Sequence, residues 1–293
     1  MTPPGPTISI ILPTLNGSRY VATSVESCLR QTYGDLELIV VDGGSTDGTL
    51  DIVRSYADSR IRIVNQPNNA DRLPGALNCG FAQARGAFFT WTQDDDYYAP
   101  EALQVMLGAL QAHPAVGFAY AGFWYVDGAG QVTRPAEVGA PQELYQRNAV
   151  GHCFLYRRAV AEQVGRYDPA FLMAEDCHYW LRAYCVTQME RLPGRYFYHR
   201  LHAGSLTMRD YGQYAAMRVA ARARRQVLHI SGLEYHRQLA DAYIQEAFAA
   251  HADAAPRRVR RSVLLALSHN PTWLTHRGVL SIGLQALLAG RPL

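Results

Sequence analysis

Cysteine is scarce in this chain, and its spacing excludes two ways of stabilising a small domain. The 293 residues include five cysteines, an odd number. None belongs to a CxxC pair or to a Cys/His pattern typical of a zinc site. We therefore expect neither a disulfide framework nor structural zinc. The five thiols are predicted to be reduced and mostly buried as small apolar side chains.

Long apolar runs and targeting signals are also missing. No uninterrupted apolar stretch reaches the roughly 18 residues that a membrane-spanning helix needs. The opening residues 1–6 have neither a basic start nor an apolar core of the signal-peptide kind. This composition favours a cytoplasmic location.

Charge of one sign is not in excess. Lys and Arg together number 28 and Asp and Glu 25, so the net charge is +3 with neutral histidines. This balance does not indicate a protein that binds nucleic acid. The basic excess is local, because the one dense basic cluster is the run Arg257–Arg261.

Two common phosphate-binding motifs are absent. The sequence has no GxGxxG after its first strand and no GxxxxGK[ST]. A bound nucleotide must therefore be held in another way. Carboxylates can accept hydrogen bonds from a base and a ribose, and a metal ion can neutralise a diphosphate.

Short apolar runs alternate with helical patterns in the first hundred residues. The predicted strands and helices, in chain order, are Ile8–Leu12, Arg19–Gln31, Leu36–Val41, Thr49–Tyr56, Ile61–Val64, Leu73–Arg85 and Phe88–Thr92. This alternation is typical of βαβ units, so we predict an α/β fold with a mainly parallel sheet flanked by helices. Pro13 is expected to end the first strand, because proline cannot donate a hydrogen bond to a central ladder.

Polar residues follow three of the predicted strands. Asn16 follows the first, Asp42 the second, and the consecutive acids Asp94–Asp96 the fourth. Ligands of parallel sheets bind beyond the carboxyl ends of the strands, so these side chains should meet at one rim. Three adjacent carboxylates repel one another and resist burial, which predicts a hard divalent cation beside them. A solvated acidic turn that caps the following helix is the alternative.

Three motifs in this order resemble those of the family 2 inverting glycosyltransferases, which have the GT-A fold. The motifs are Ile8–Asn16, Val40–Thr49 and Gln93–Tyr97. The resemblance covers about the first two thirds of the chain. It implies a Rossmann-like sheet, a nucleotide-sugar donor and a metal ion, Mn²⁺ or Mg²⁺.

The resemblance also implies roles for single residues. It places the nucleotide and the donor sugar beside Pro13, Thr14, Asn16, Asp42, Asp71, Arg72, Asp94, Asp95 and Arg200. It makes Asp96 the best candidate metal ligand and brings His202 towards the diphosphate or its metal. For Asp71, capping of the next helix is an open alternative. Gln93 stands where many relatives have another acid, which leaves the metal geometry open.

A second acidic motif, Glu175-Asp176, resembles the acidic pair that opens a helix in this family. Transfer with inversion needs a base that removes a proton from the acceptor hydroxyl. The resemblance makes Asp176 that base and Glu175 a residue that orients the acceptor or the base. Favourable charge at a helix N-terminus is the alternative.

Three further histidines and one arginine flank this motif. Arg200 and His202 alternate with apolar neighbours, so we expect both on one side of a strand, where a cation would stabilise charge on the leaving group. His199 is expected to point the other way and not to be a ligand. His152 either lines the acceptor side or is a structural histidine.

The tail, from about Tyr211, reads as alanine-rich helices. We predict a catalytic domain over residues 1–210 and a helical extension over residues 211–293. The basic run Arg257–Arg261 and the apolar pieces near it suit either an anionic bilayer or packing against the catalytic domain or a second subunit.

Together these features predict a metal-dependent inverting glycosyltransferase. The resemblance favours a UDP-sugar donor and a hydroxyl acceptor on a saccharide or a lipid-linked molecule, as in cell-surface polysaccharide biosynthesis. Two alternatives stay open. A sugar-1-phosphate nucleotidyltransferase should have a glycine-rich, basic loop after its first strand, and Asn16–Arg19 matches that poorly. A noncatalytic saccharide-binding protein of this fold would tolerate loss of the acidic motifs, which are intact here.

Overall fold

The computed structural model describes residues 6–205 and 212–289 of the chain. The chain divides into two compact units, the first ending at His202 and the second beginning at Ala203. The predicted domain boundary between residues 210 and 211 and the opening residues 1–5 lie outside the described residues.

The first unit contains a nine-stranded sheet. Its strands are β1 Ile8–Thr14, β2 Leu36–Asp42, β3 Ile61–Asn65, β4 Phe88–Trp91, β5 Tyr97–Tyr98, β6 Val116–Val126, β7 Val132–Ala136, β8 Cys153–Arg157 and β9 Gln188–Arg200. Its helices are α1 Val21–Leu29, α2 Thr49–Ser55, α3 Arg72–Gln83, α4 Ala102–Ala112, α5 Arg158–Val164 and α6 Glu175–Val186.

The sheet has a parallel half and a mixed half. The strand order is β3-β2-β1-β4-β8-β6-β9-β5, with β7 paired to β6. The first four strands pair in parallel, as predicted, and the apolar runs of β1, β2 and β4 are buried because helices flank them. In the other half β8 is antiparallel to β4 and β6, whereas β9 runs parallel to β6. The carboxyl ends of β1, β2 and β4 therefore lie at one edge of the sheet.

The prediction that Pro13 ends the first strand is wrong. β1 continues to Thr14 and pairs Pro13 with Val41 of β2. The backbone of Ile11 faces β4, since its carbonyl accepts a hydrogen bond from the N–H of Thr92. By the alternation of a strand, the nitrogen of Pro13 also faces that side, but the pairing with β4 stops at Ile11. The missing N–H of the proline thus leaves no ladder bond unmade.

β5 is a short strand that the sequence did not reveal. It contains only Tyr97 and Tyr98, which pair antiparallel with Tyr198 and Phe197 of β9. Because Asp96 immediately precedes β5, the same register places Asp96 opposite His199. β9 thus brings residues near position 200 to the acidic turn.

The second unit is helical over its described residues. Its helices are α7 Gly212–Val227, α8 Gly232–Ala252, α9 Pro256–His269 and α10 Arg277–Leu288. One face each of α8, α9 and α10 forms a small apolar core, to which Val259, Val263, Val279 and Ile282 contribute. These helices pack against one another through this inner face, a contact that the sequence analysis did not predict. No helix among the described residues is long and apolar enough to cross a membrane.

The cysteines form no disulfide. Cys28, Cys153 and Cys177 are buried, Cys79 is partly exposed and Cys185 is exposed. Burial raises the pKa of Cys28 to about 12, so that thiol stays protonated and packs as a small apolar group.

Candidate active site

The loops after β1 and β2 are joined by side chains that the sequence singled out. The Thr14 hydroxyl donates to Asp94 Oδ2 at 2.5 Å. The amide oxygen of Asn16 accepts from the N–H of Thr46 at 2.9 Å. Asp42 is buried, and its carboxylate accepts from the N–H groups of Gly44 and Ser45. The two strand ends and the acidic turn therefore meet at one rim, as predicted.

The loop before α3 lies against this rim. The N–H of Gln66 donates to the carbonyl of Asp42 at 2.8 Å. Asp71 and Arg72 are exposed at the helix start, with φ angles of 60° and 49°. Asp71 occupies the N-cap position, yet its side chain makes no capping hydrogen bond. Helix capping therefore does not account for this acid, and its side chain is available to a ligand at the rim.

The three consecutive acids are buried to different degrees, and the pKa of each is raised. Asp96 is 1% exposed, whereas Asp94 and Asp95 are partly exposed. Burial raises the pKa of Asp94 to about 6 against the hydrogen bond from Thr14, and the charge of Asp95 adds to the rise. Burial likewise raises the pKa of Asp96 to about 6, and it also raises the pKa of Asp95. A cation beside them would oppose all three shifts.

Two histidines accompany Asp96, and one of them corrects the sequence prediction. The prediction that His199 points away from the acids is wrong, since its Nδ1 lies 2.9 Å from Asp96 Oδ2. The backbone N–H of Arg200 donates to the other oxygen at 2.8 Å. The ring of His152 stacks on that of His199 with centroids 4.0 Å apart. One potential ligand atom from each of Asp96, His152 and His199 lies within 4.8 Å of the others.

The two histidines of this triad are neutral near pH 7. Burial lowers the pKa of His152 to about 3 and that of His199 to about 4. A neutral imidazole has a free nitrogen lone pair, which is the form that binds a metal. The triad therefore offers one carboxylate and two imidazoles, and a site of three protein ligands has room for ligand oxygens.

Arg200 and His202 contact the acidic turn through Asp95. Arg200 is buried, and its Nε donates to the Asp95 carbonyl at 2.9 Å. His202 Nε2 lies 2.9 Å from Asp95 Oδ2, so the structure pairs it with Asp95 and not with Asp96. Tyr20 lies under both, 4.6 Å from the Arg200 guanidinium and 5.0 Å from the His202 ring. The other oxygen of Asp95, Oδ1, is buried without a partner within the described residues.

The second acidic pair opens α6, as predicted. Asp176 Oδ1 accepts from the N–H of Cys177 at 2.6 Å and Oδ2 from the Asn148 amide at 2.8 Å. Burial raises the pKa of Asp176 against these two hydrogen bonds. Burial and the charge of Asp176 raise the pKa of Glu175 to about 8. Glu175 is therefore the protonated member near pH 7, and Asp176 is the member whose charge is supported.

A cavity of about 320 Å³ lies beside a neighbour of each acid group. Its lining includes His152 of the triad and Asn148, the hydrogen-bond partner of Asp176. Phe123 and Tyr125 add aromatic surface, and Arg134 lies over the Tyr125 ring at 3.9 Å. The volume is within the range of small-molecule sites, and aromatic walls with a few polar groups suit a saccharide.

Sequence reasoning missed two residues of this site. Asn148 lies in a loop without regular pattern, and only its contact with Asp176 reveals it. In the sequence, Tyr20 resembles any residue in the first turn of a helix. Only its contacts with Arg200 and His202, about 180 positions later, place it at the site. No local pattern predicts contacts at that separation.

Comparison with known sequences agrees with this geometry. The model of Glycosyl transferase family 2 matches residues 9–165, which end before Glu175. An uncharacterized glycosyltransferase of Rickettsia prowazekii is 26% identical over 222 residues, covering 69% of this chain and 66% of that protein. One of Nostoc is 28% identical over 215 residues, covering 68% and 66%. The matched segment thus spans slightly less than two thirds of these relatives.

Solved structures share the fold. S. aureus TarS in complex with UDP-GlcNAc has a TM-score of 0.65 at 19% identity, covering 90% of this chain and 81% of that one. The mannosyltransferase PcManGT of Pyrobaculum calidifontis, in complex with GDP-Man and Mn²⁺, has a TM-score of 0.60 at 18% identity, covering 98% and 88%. Because the family model spans more than half of the chain, the protein belongs to glycosyltransferase family 2, and its first unit has the GT-A fold.

Proposed function

We propose that this chain is a metal-dependent, inverting glycosyltransferase that takes its sugar from a nucleotide diphosphate donor. The observation that carries the proposal is the single cavity bordered by His152 of the metal-ligand triad and by Asn148, the partner of Asp176. An enzyme of this class needs a leaving-group site and a base on either side of one acceptor position. The presence of His152 and Asn148 at one cavity supports such an arrangement.

The residues around Asp96 suit a divalent metal ion. Asp96 would be a ligand, as the sequence proposes, and the neutral His152 and His199 extend the donor set. His202, the other proposed ligand, is held at Asp95 and would need to move to reach the same ion. Imidazole nitrogens favour Mn²⁺ over Mg²⁺, which prefers an all-oxygen shell. When bound, the ion would neutralise charge on the diphosphate leaving group.

The rim after β1 and β2 would hold the nucleotide. Thr14 and Asn16 lie at this rim with Asp42, whose carboxylate would contact the base or ribose. Pro13 shapes the start of that loop, Asp71 and Arg72 would face the donor from the neighbouring loop, and Arg200 would stabilise diphosphate charge. TarS binds UDP-GlcNAc and PcManGT binds GDP-Man, which supports a nucleotide sugar. We propose a UDP-sugar, as the motifs favour.

Asp176 would act as the base. Its carboxylate would take the proton of the acceptor hydroxyl while the hydroxyl oxygen bonds to the anomeric carbon from the face opposite the diphosphate. The bond between that carbon and the diphosphate oxygen breaks, and the nucleoside diphosphate leaves with the electron pair. Attack from the opposite face inverts the anomeric configuration. Glu175, protonated near pH 7, can donate a hydrogen bond but cannot accept the proton.

The acceptor would occupy the cavity beside Asn148. We propose a hydroxyl of a saccharide or of a lipid-linked molecule in cell-surface glycan biosynthesis, and we place the reaction in the cytoplasm. A PGL/p-HBAD biosynthesis glycosyltransferase of Mycobacterium bovis, 29% identical over 184 residues, supports a role in glycan or glycolipid assembly.

The test is calorimetric binding of UDP, GDP and dTDP with and without Mn²⁺. We expect one nucleotide to bind in a Mn²⁺-dependent way and Asp96→Ala to abolish that binding, because a buried ligand of the ion is lost. The matched control is Asp127→Ala, an acid outside the triad that accepts N–H groups of its own turn. It should bind like the wild type.

The alternatives give different outcomes. Failure of every nucleotide to bind with or without Mn²⁺ would favour the noncatalytic, saccharide-binding alternative. Tight binding of a nucleoside triphosphate together with a sugar 1-phosphate would favour a nucleotidyltransferase. Binding that is indifferent to Mn²⁺ would refute metal dependence.

A further inference from the structure

The C-terminal half of the helical unit contains no acidic side chain. Between Asp253 and the end of α10 the sequence has five arginines, Arg257, Arg258, Arg260, Arg261 and Arg277, and no Asp or Glu. The whole chain is nearly balanced, with 28 basic and 25 acidic residues. The segment made of α9, the turn after it and α10 is thus basic, with no acid to offset its arginines.

The outer face of α10 is a stripe of exposed leucines. Leu280, Leu284, Leu287 and Leu288 are 48%, 59%, 60% and 59% exposed. Their spacing of four, three and one residues places them on one side of the helix. The opposite side of α10 packs in the apolar core of the unit. Internal packing therefore accounts for only one of the two apolar faces.

α9 adds charge beside this stripe. Arg257, Arg261 and Leu264 are exposed and follow one another at four and three residues, so they form one line on the helix. The guanidinium of Arg260 donates to the Ala286 carbonyl at 2.7 Å. This bond brings the basic first turns of α9 next to the leucine-rich end of α10. The exposed arginines of α9 and the exposed leucines of α10 thus lie on adjacent helices.

We propose that the exposed face of α9 and α10 docks on an anionic lipid bilayer, with α10 lying in the interface. We call this face the basic leucine face, defined by Arg257, Arg261, Leu264, Leu284 and Leu287. An interfacial helix inserts its apolar side chains into the acyl boundary while basic residues contact the headgroups. The lack of acidic residues suits that partner, because a carboxylate would be repelled by anionic lipid.

The charge distribution disfavours a second copy of this chain as the partner. A symmetric contact through the basic leucine face would oppose arginines with arginines, and no acid of the segment could compensate. Arg258 is engaged within the unit by Glu246, but Arg257 and Arg261 have exposed side chains. Like charges across an interface oppose association.

The test is sedimentation of the full chain with vesicles in the absence of donor, so its outcome does not depend on the proposed enzymatic activity. Vesicles of phosphatidylcholine alone are compared with vesicles that contain about 30 mol% phosphatidylglycerol, which mimic an anionic surface. We expect binding to the anionic vesicles only, weakened as NaCl is raised, because salt screens surface charge.

Two double variants separate the contributions. Arg257→Gln with Arg261→Gln should weaken binding about fivefold per arginine, since each is worth on the order of 1 kcal/mol near an anionic surface. Leu284→Ser with Leu287→Ser should weaken it about tenfold or more, because apolar insertion is lost. Matched controls are Leu233→Ser, whose leucine is 84% exposed on α8, and Arg30→Gln with Arg54→Gln in the first unit. These should bind like the wild type.

Three outcomes would overturn the proposal. One is equal binding to both kinds of vesicle, and another is binding that neither double variant changes. The third is an oligomeric wild type and a monomeric leucine variant, as measured by light scattering without vesicles. That result would assign the leucines to contact with a second copy of the chain.

Discussion

Two buried glutamates in the first unit have opposite surroundings. Glu37, in β2, is 2% exposed and accepts from the Ser9 hydroxyl at 2.7 Å, from the Arg85 N–H at 2.7 Å and from Arg62 at 3.0 Å. Burial alone would raise the pKa of Glu37, but these donors outweigh it and lower the pKa. Glu175 is 7% exposed, its Oε2 has no partner within the described residues, and its pKa is raised to about 8.

We interpret Glu37 as a structural acid and Glu175 as an acid of the proposed site. Glu37 lies near the start of β2, away from the rim, and its arginines stabilise its charge in the empty protein. Within the described residues, Asp95 Oδ1 in the acidic turn and Glu175 Oε2 at the start of α6 are buried without a partner. A buried polar atom without a partner destabilises the free protein, so it is retained where a ligand completes it. Hydrogen-bond partners, rather than burial alone, thus distinguish these two glutamates.

The largest effect is expected for Asp176→Asn. Removing the base should lower the rate of transfer by about 10²–10⁴-fold, the range of general base catalysis. Nucleotide binding should be unchanged, because in the proposed mechanism Asp176 acts on the acceptor hydroxyl and not on the nucleotide. The measurement is product formation together with calorimetric binding.

Asp168→Asn is the matched control for that variant. Asp168 caps a short turn eight residues before Asp176, and its side chain accepts from the N–H of Ala170. It should retain full turnover. If Asp176→Asn turned over at the wild-type rate, Asp176 would not be the base.

The two glutamates should respond differently to replacement by glutamine. Glu37→Gln should lower the free energy of unfolding by about 2–3 kcal/mol at pH 7, because it breaks a buried ion pair whose arginines are partly solvated. Glu175→Gln should leave stability unchanged or raise it, since Glu175 is protonated near pH 7 and glutamine is a neutral replacement. Denaturant titration of both variants measures the difference.

Their pH dependences should have opposite signs. The contribution of Glu37, whose pKa is lowered from 4.5, is present above pH 4.5 and is lost as the pH falls through the folded pKa. The contribution of Glu175, whose pKa is raised from 4.5 to about 8, is present below pH 4.5 and is lost as the pH rises through 8. Parallel pH profiles of stability for the two variants would contradict this difference between Glu37 and Glu175.

A smaller effect is expected for Asn148→Ala. The amide hydrogen bond favours the charged form of Asp176, so its loss should raise the pKa of Asp176. We expect kcat/KM to fall about tenfold, consistent with a hydrogen bond to a charged group. The acidic limb of its pH profile should also move to higher pH. Gln163→Ala, at an exposed position of α5, controls for general effects on this half of the unit.

A fall in activity without a shift of the acidic limb would assign Asn148 to packing alone. The pH profile is the decisive readout, because a loosened loop would lower the rate at every pH. The shift tests the link between Asn148 and Asp176.

The parallel half of the sheet was predictable because its signals are local. Each of β1, β2 and β4 is a run of apolar residues bounded by a turn, and each observed strand lies within two residues of its prediction. The polar ends of these strands were predictable for the same reason, since the rule for parallel sheets places them together.

The mixed half was not predictable from local patterns. β5 has only two residues and pairs with a strand a hundred positions later. That pairing places His199 beside Asp96, although simple alternation had assigned His199 to the opposite side. Asn148 lies in a loop whose sequence shows no periodic pattern. The candidate metal site at Asp96, His152 and His199 and the hydrogen bond to Asp176 depend on such long-range contacts, which propensity and periodicity do not encode.

The separation between the acidic turn and its partners affects how the protein is made. Asp96 precedes His199 by 103 residues, and Arg200 by 104. At a synthesis rate of about 5–20 residues per second, the nascent chain exposes the three acids for roughly 5–20 s before their partners emerge. During that interval they are hydrated, and the half-formed sheet has an anionic edge. The last strand to be synthesised, β9, converts that edge into a buried centre, so the site matures only when the first unit is complete.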